Sequence, residues 1–357
     1  MSKKILVIGA TGSQGIPVIA ALLAPDEAGN PSPYSIRAFT QNSSSKKVQI
    51  LASLPDIEVF EGHFDNMSTI VPAMEGCYGI FVNTDTMAVG ERGELYTAIK
   101  MFEQAHCIPL MRHFIWSSLD YGYKFGRYDP QYSAPQGNAK GTFTEFLQSQ
   151  DSDCNGNLFA WLVLTIAYEP CHFYIVSFLL NHFQGFSGPR PKRENGAVVF
   201  NTPTKEGLIP MISLDDIGWW TRYTFDHLSE MSGQELKVVT EMMSMEQVAK
   251  IFMHMTGIPA VRKHVSMEEY WATHPSFPPR PRTYLKTVYS AVYNTWRDNI
   301  LTRDMEWIRK THPTGFMLET WIKTKGYDGS LVPNMTWLPS EAEHKLISQS
   351  RTLKAKL

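Results

Sequence analysis

Net charge, cysteine and long apolar runs are all scarce in this sequence. The 33 Lys and Arg residues are opposed by 35 Asp and Glu residues, which leaves a formal net charge of −2 over 357 residues. So small an imbalance excludes a protein that holds nucleic acid or an acidic membrane face by bulk electrostatics. No run approaches the roughly 20 apolar residues of a membrane span. We therefore expect neither a nucleic acid nor a membrane as a direct partner.

The four cysteines (Cys77, Cys107, Cys154 and Cys171) show no C-x-x-C spacing, and no Cys or His pair has the spacing of a zinc site. The apolar run Ile5–Ile8 is too short for the h-region of a signal peptide. Both absences favour an intracellular protein with reduced thiols and no metal centre. We expect a cytoplasmic location, with a nuclear fraction if the protein is a regulator. The G-x-S-x-G, H-E-x-x-H and P-loop motifs are also absent.

Short apolar runs alternate with helical patterns over the first 165 residues, which predicts an α/β fold with a doubly wound parallel Rossmann sheet. The runs lack the apolar–polar alternation of half-buried strands, so helices should cover both faces of the sheet. The predicted strands are Lys4–Ile8, Tyr34–Phe39, Ile57–Glu61, Gly79–Asn83, His113–Trp116 and Ala160–Thr165.

The composition changes near residue 165 and predicts three regions. Residues 1–165 are expected to form the Rossmann domain. Eight of the nine tryptophans lie from Trp161 onward, and the helical patterns there are longer. We interpret residues 166–332 as a smaller, mainly helical domain for a substrate or a partner, from which elements can return to the Rossmann sheet. Its tryptophans are interpreted mainly as core residues. The polar residues 333–357 are expected to form a peripheral tail.

A glycine-rich loop, Gly9–Gly15, follows the first predicted strand and opens the first predicted helix, with the sequence GATGSQG. The glycines of this G-x-x-G-x-x-G pattern permit a tight turn and bring the backbone close to a pyrophosphate. The phosphates then meet free N–H groups at the positive end of the helix. Because the pattern lies in a strand–turn–helix context, it indicates a dinucleotide site. The residues expected to contact the cofactor are Gly9, Thr11, Gly12, Ser13, Gln14 and Gly15.

The end of the second predicted strand and the residues that follow it indicate whether the site binds NAD(H) or NADP(H). An NAD site normally has an acidic residue there for the ribose 2′-hydroxyl. The 28 residues 28–55 hold no Asp or Glu, but they hold Arg37, Lys46 and Lys47. Arg37 lies 22 residues after Gly15, where the discriminating residue is expected, and its guanidinium would pair with a 2′-phosphate. We therefore predict NADP(H) rather than NAD(H); the alternative is that Arg37 is an ordinary surface residue at a strand end.

Two further polar segments follow predicted strands and extend the expected cofactor site. Asp65 and Asn66 follow the third strand, where a carboxylate often accepts a hydrogen bond from the adenine amine. Asp65 serves equally well as a helix cap for the helix that begins near Ser68. Asn83 and Thr84 end the fourth strand at the carboxyl edge of the sheet, where ligands bind. We expect them near the nicotinamide ribose.

With these residues in view, the sequence resembles the NmrA-like branch of the short-chain dehydrogenase superfamily. The resemblance rests on GATGSQG (9–15), on Arg37 within SIRAFTQNSSSKK, on HFIWSSLDYG (113–122), on Ile209–Gly218 and on Trp296–Trp307. It covers roughly residues 3–329 and is closest to long fungal-type members. The resemblance implies a Rossmann domain with a preference for NADP. Some members are cofactor-sensing regulators without catalysis, and others are oxidoreductases, often in secondary metabolism.

The resemblance also supplies the expected catalytic residues. Lys140 matches the lysine of the superfamily's Tyr-x-x-x-Lys motif, in which the lysine holds the nicotinamide ribose and lowers the tyrosine pKa. Gln136 stands in place of the tyrosine, which removes the usual acid; in relatives that resemble isoflavone reductase the lysine itself serves. Ser118, rather than Ser117, is expected to orient the substrate, with a purely structural role as the alternative. Replacement acids could come from a tyrosine-rich loop that holds Tyr121, Tyr123, Tyr128 and Tyr132.

Two functions compete on these grounds. The first is an NADP(H)-dependent oxidoreductase that acts on an apolar, aromatic or polyketide-like carbonyl compound in fungal-type metabolism. The second is a non-catalytic NADP sensor that binds a regulatory protein, which Gln136 favours. We expect either a monomer or a homodimer. Asp215 and Asp216 resemble paired catalytic acids but are better interpreted as caps of the helix that follows Ser213.

Overall fold

The computed structural model describes residues 2–26, 28–150, 159–166, 192–273 and 282–329. Its amino-terminal half contains β1 (Lys3–Ile8), α1 (Gly15–Leu23), β2 (Tyr34–Thr40), α2 (Lys46–Ser53), β3 (Ile57–Glu61), α3 (Met67–Met74), β4 (Gly79–Val82), α4 (Thr86–Cys107), β5 (His113–Leu119), α5 (Gly122–Phe125), a 3-10 turn (Pro130–Tyr132), α6 (Pro135–Gln148) and β6 (Ala160–Ile166). All strands predicted for residues 1–165 are present. The expected tail, 333–357, lies outside the described residues.

Shorter elements make up the carboxyl-terminal half of the described chain. They are β7 (Lys192–Glu194), β8 (Ala197–Phe200), β9 (Ile209–Met211), α7 (Leu214–Asp226), α8 (Leu228–Met231), β10 (Glu235–Val238), β11 (Glu241–Met243), α9 (Met245–Thr256), β12 (Ala260–Arg262), α10 (Met267–Thr273), α11 (Arg282–Arg297), α12 (Met305–Thr311) and α13 (Leu318–Lys325). None of the described helices is long and apolar enough to span a membrane.

A seven-stranded sheet forms the centre of the fold, with the strand order β3-β2-β1-β4-β5-β6-β10. Every neighbouring pair in it is parallel. The order reverses between β1 and β4, so the connections after these strands leave in opposite directions. A crevice opens at the carboxyl edge at such a switch point, which is where open α/β sheets bind ligands. The α/β doubly wound fold expected from the sequence is confirmed.

The sheet is covered on both faces, as the unbroken apolar strands predict. In β1, Ile5 and Val7 belong to one hydrophobic core, while Leu6 and Ile8 belong to the other. This division follows directly from the alternation of side chains along a strand. The first core continues into the carboxyl-terminal region, where the largest fully buried side chains include Trp220, Trp296 and Trp321.

The chain after residue 165 returns to the central sheet. Strand β10 pairs with β6, and Glu235 lies opposite Val163. Helix α7 packs closely on α1: a Cβ atom added at Gly218 would lie 2.5 Å from the carbonyl oxygen of Pro17. One sheet is therefore built from residues on both sides of the expected boundary, while β9–β11 and β7–β8–β12 form two small sheets of their own.

The paired aspartates of α7 do not cap the helix. The cap is Ser213, whose hydroxyl accepts a hydrogen bond from the Asp216 N–H at 3.1 Å. The buried Asp216 carboxylate instead accepts from the Phe316 N–H at 3.0 Å and lies 2.9 Å from Nε2 of His312. The expectation that Asp216 caps by its side chain is thus corrected: its carboxylate fastens the carboxyl-terminal segment to α7.

Candidate cofactor groove and active site

An open groove of about 630 Å³ lies at the switch point of the sheet. Its volume is within the range of ligand and cofactor sites. The loop after β1 contributes Gly9, Thr11 and Gly12, and the turn after β4 contributes Asn83. These four residues, each expected to contact the cofactor, thus line one groove, and much of the remaining wall comes from the segment between β2 and α2.

The glycines of the loop are required by close backbone contacts. Gly9 has a φ of +81°, and a Cβ atom there would lie 2.9 Å from the Asn83 carbonyl oxygen. At Gly15 a Cβ atom would lie 2.2 Å from the carbonyl oxygen of Gly9, inside the van der Waals distance. The N–H of Gly12 closes the turn by donating to that same oxygen at 2.9 Å. These contacts keep the loop flat at the start of α1 and leave the space that a pyrophosphate needs.

The start of α1 provides an anion site of the usual kind. Gln14 occupies the N-cap position, and its side chain makes no cap hydrogen bond with the helix. Among the first residues of the helix, Ile16 donates its N–H to the Gly12 carbonyl oxygen at 3.4 Å and Pro17 has no N–H. An anion here would therefore be favoured mainly by the helix dipole. Gln14 itself is buried, and its Oε1 accepts from the Ser117 hydroxyl at 2.8 Å. Ser13 is exposed and does not line the groove.

The cations that line the groove are Lys46 and Lys47, at the first turn of α2. Asn42 and Ser45 lie beside them in the same wall. Ser45 caps α2, since its hydroxyl accepts from the Val48 N–H at 3.4 Å. Two ammonium groups, a helix N-terminus and polar side chains together fit a phosphate monoester.

Arg37 does not reach the groove, which corrects the sequence-based assignment. Its Nη1 donates to the carbonyl oxygens of Ala73 and Glu75, both at 2.7 Å, and its Nε donates to the Glu58 carboxylate. Burial would raise the pKa of Glu58, but hydrogen bonds from Lys4 and Arg37 outweigh it and leave that pKa lowered. The physical reason is the length of β2, which continues for three residues after Arg37, roughly 10 Å of strand.

The segment after β3 also differs in detail from the expectation. Asp65 is exposed and pairs with His63, so it does not line the groove. Asn66, and not Asp65, caps α3, because its Oδ1 accepts from the Ser68 N–H at 3.1 Å. The buried Phe64 is the residue of this segment that lines the groove.

Lys140 lies in a buried polar cluster beside the groove. Its Nζ is 3.0 Å from the carbonyl oxygen of Ser117, 3.4 Å from the Thr84 hydroxyl and 3.5 Å from Oδ1 of Asn83. It also lies 3.5 Å from a carboxylate oxygen of Glu94, and both side chains are almost fully buried. Lys140, Asn83 and Thr84, which the sequence analysis expected near the nicotinamide ribose, thus lie together, and Asn83 belongs to both the cluster and the groove.

Glu94 was not found from the sequence. It comes from α4, is 0% exposed, and accepts hydrogen bonds from the hydroxyls of Thr84 and Thr86. Nothing in the pattern around it distinguishes it from the other acidic residues of an amphipathic helix. Its burial depends on the path of α4, which breaks at Gly90, where φ is 77° and ψ is 167°.

Ser118 faces away from this cluster. It is 0% exposed, and its hydroxyl is 2.8 Å from the Thr144 hydroxyl and 3.3 Å from the carbonyl oxygen of Lys140. Ser117, on the opposite face of β5, is the serine that points toward the glycine loop. The geometry thus argues against a substrate-orienting role for Ser118 and favours the structural alternative.

Gln136 lies on α6 one turn before Lys140 and is 3% exposed. Neither its Nε2 nor its Oε1 has a hydrogen-bond partner within the described part of the chain. Residues four apart lie on the same face of a helix, so this amide is a neighbour of the Lys140 cluster. A buried amide without partners costs free energy and marks a place where a ligand oxygen or nitrogen would be favoured.

Two of the loop tyrosines already have partners. The Tyr132 hydroxyl donates to Asp298 at 2.9 Å, and the Tyr121 hydroxyl accepts from Thr142 at 3.2 Å. Tyr123 and Tyr128 pack edge to face, with ring centroids 5.3 Å apart. None of these contacts directs a phenol to Lys140.

The model of the NmrA-like family matches residues 1–132 and 163–296, well over half of the chain. The chain belongs to the NmrA-like family. The resemblance stated from the sequence is confirmed.

This NmrA-like protein has a similar relative over nearly its whole length. It is 24% identical over 356 residues to the NmrA-like family domain-containing oxidoreductase malD of Malbranchea aurantiaca, an alignment that covers 96% of this chain and 97% of malD.

Solved structures of the same fold include both a regulator and an enzyme. NmrA, a negative transcriptional regulator, in complex with NAD superimposes with a TM-score of 0.69 at 17% identity, and its complex with NADP gives 0.66 at 16%. Both comparisons cover 92% of this chain and 99% of that chain. The NADPH-dependent quinone oxidoreductase QOR2 from Escherichia coli gives 0.63 at 16%, covering 90% and 100%. At these identities the likeness shows the fold and does not separate the two functions.

A buried ion pair joins the two regions of this NmrA-like protein near the site. Asp120 follows β5 directly, and its two carboxylate oxygens accept from Nη1 and Nη2 of Arg303 at 2.9 and 2.6 Å. The exposed fractions of the two side chains are 3% and 0%. Arg303 lies in Trp296–Trp307, one of the segments that carry the family resemblance, so this segment fixes the carboxyl-terminal region against the edge of the sheet.

Proposed function

We propose that this protein is an NADP(H)-dependent oxidoreductase that acts on an apolar, aromatic or polyketide-like carbonyl compound. The observation that carries the proposal is the groove at the switch point, with its flat glycine loop on one side and Lys46 and Lys47 on the other. The relative malD is named an oxidoreductase, and QOR2 is named NADPH-dependent. A role in fungal-type secondary metabolism is part of the same proposal.

The groove residues fit a nicotinamide dinucleotide phosphate in a defined direction. The pyrophosphate would lie on the glycine loop at Gly12 and the start of α1, where the tight packing of Gly15 leaves the backbone accessible. The 2′-phosphate would lie between Lys46 and Lys47, which replace Arg37 in this role. Asn83 and Thr84 would then be near the nicotinamide ribose, with Lys140 behind them.

The cofactor would supply the hydride, and the protein would supply orientation and hydrogen bonds. Lys140 would hold the ribose and, as the cationic N–H group of the cluster, is the candidate proton donor. Gln136 would donate an amide N–H to the carbonyl oxygen of the substrate, which stabilises negative charge on that oxygen but transfers no proton. The proton must therefore come from Lys140 or from water.

A second function is supported by the contacts of Lys140. Its ammonium already has four oxygen neighbours, including the Glu94 carboxylate, and Gln136 has no acidic proton to give. Both facts favour an NADP-sensing co-regulator that binds a protein partner without catalysis. NmrA, with the same fold, is named a negative transcriptional regulator.

Turnover separates the two functions. The purified protein should be incubated with NADPH and a panel of quinones and aromatic ketones, with cofactor oxidation followed by absorbance. The enzyme hypothesis predicts steady consumption, a loss of about 100-fold in kcat for Gln136→Met, and unchanged NADPH affinity in that variant. Tight NADPH binding without consumption for any compound would favour the sensor instead.

A further inference from the structure

The buried acid of α4 has so far been given no role in cofactor binding. Glu94 is 0% exposed, and the Lys140 ammonium is its cationic neighbour at 3.5 Å. A carboxylate at such depth persists only when it is paired and hydrogen-bonded. The hydroxyls of Thr84 and Thr86 supply the hydrogen bonds. The buried carboxylate therefore has both a cationic neighbour and hydrogen-bond donors in the folded chain.

We propose that Glu94 is a positioning residue that holds the Lys140 ammonium at the inner end of the groove, so that the nicotinamide half of the cofactor meets a fixed cation. The inference rests on the proposed binding of NADP(H). It assigns to Glu94 an effect on one half of that ligand only.

The cluster connects to the groove through the turn that follows β4. Thr84 contacts both charged side chains: its hydroxyl donates to Glu94 and lies 3.4 Å from Nζ of Lys140. The preceding residue, Asn83, lies 3.5 Å from the same Nζ and also lines the groove. The path from Glu94 to the ligand therefore has two steps, Glu94 to Lys140 and Lys140 to the groove edge at Asn83.

The opposite end of the groove is independent of this cluster. Lys46 and Lys47 lie on α2, whereas Glu94 and Lys140 lie on α4 and α6. A loss of the Glu94 charge removes a restraint from the ammonium, whose other oxygen neighbours are uncharged. It leaves the glycine loop and the α2 lysines without any changed contact. Glu94→Gln should thus weaken the nicotinamide half of binding and spare the adenosine half.

The test compares two ligands by isothermal titration calorimetry on the full chain. NADP probes both halves of the groove, and 2′,5′-ADP probes the adenosine half alone. For Glu94→Gln we expect the NADP affinity to fall about tenfold or more, the size of a lost charge-assisted contact. The affinity for 2′,5′-ADP should stay within about twofold of the parent. Glu103→Gln, an exposed change of the same charge on the same helix, should alter neither affinity.

Each other outcome overturns the inference. Equal NADP affinity in the parent and in Glu94→Gln would show that the acid does not position Lys140. A parallel loss for both ligands would show a general structural role. If Glu94→Gln does not fold, Glu94→Asp serves as the second variant, because it keeps the charge but shortens the side chain and draws the carboxylate away from Nζ of Lys140; an unchanged NADP affinity there would refute the proposal as well. A parent that binds neither ligand would refute the proposed function rather than the role of Glu94.

Discussion

Substitution of Lys140 should lower the free energy of unfolding, so a loss of activity in such a variant would not by itself show a catalytic role. The substitution Lys140→Met leaves the Glu94 carboxylate at 0% exposure without its cation. Loss of one partner from a buried ion pair lowers the free energy of unfolding by about 3–5 kcal/mol. A domain is typically stable by only about 5–15 kcal/mol. An inactive Lys140 variant could therefore be an unfolded one.

The double variant Lys140→Met/Glu94→Gln separates these effects. It removes both charges and keeps similar side-chain volumes, and neutral replacements of buried pairs are often close to neutral in stability. We expect it to recover most of the loss, to within about 1.5 kcal/mol of the parent. Urea unfolding followed by circular dichroism and tryptophan fluorescence at one protein concentration measures this.

Two results would refute the reasoning about this pair. A loss below about 1 kcal/mol for Lys140→Met would mean that Glu94 is not an uncompensated charge in that variant. A double variant as unstable as the sum of the two single variants would mean that the side chains are not coupled. If the expected pattern is found, the double variant is the correct background in which to measure turnover without the Lys140 ammonium.

Three further predictions follow from other parts of the structure. Lys46→Gln and Lys47→Gln should lower the ratio of NADP to NAD affinity by about tenfold or more, whereas Arg37→Gln should leave that ratio unchanged, as measured by titration of both cofactors. Burial lowers the pKa of His113 to about 3, so the native state loses stability as pH falls below 6.5. His113→Leu should remove this loss, a relative gain of about 2 kcal/mol at pH 5 over pH 7.5 in urea unfolding, and parallel pH profiles would contradict it. Gly15→Ala should abolish NADP binding or folding, because the added methyl group would lie 2.2 Å from a backbone oxygen of the same loop; wild-type affinity would contradict the tight-turn account.

The sequence predicted the parts of this protein that depend on local pattern. The strands of residues 1–165 are unbroken apolar runs, and a strand of that kind can be recognised in the sequence without knowledge of the strands it pairs with. The glycine loop is equally local, since the contacts of Gly9 and Gly15 arise within seven residues of chain and one neighbouring turn. Asn83 was found because it ends a predictable strand at the carboxyl edge, and Lys140 because the family resemblance matches it to the lysine of the Tyr-x-x-x-Lys motif.

The errors arose where the answer depended on register or on distant partners. Arg37 was chosen by its spacing from Gly15, which does not say where the side chain points; in the structure the guanidinium lies mid-strand beside Glu58. Ser117 and Ser118 differ by one residue, and one step along a strand exchanges the two faces of the sheet. Glu94 is buried by the path of a helix that breaks at Gly90. The sequence pattern of α4 does not predict this burial.

A crystal structure of the NADP complex tests the central claim most directly. The account predicts that the 2′-phosphate oxygens lie within hydrogen-bond distance, about 3 Å, of the Lys46 or Lys47 ammonium, with the pyrophosphate on Gly12 and the nicotinamide ribose beside Asn83. A cofactor bound away from this groove, or a 2′-phosphate held by Arg37, would contradict it.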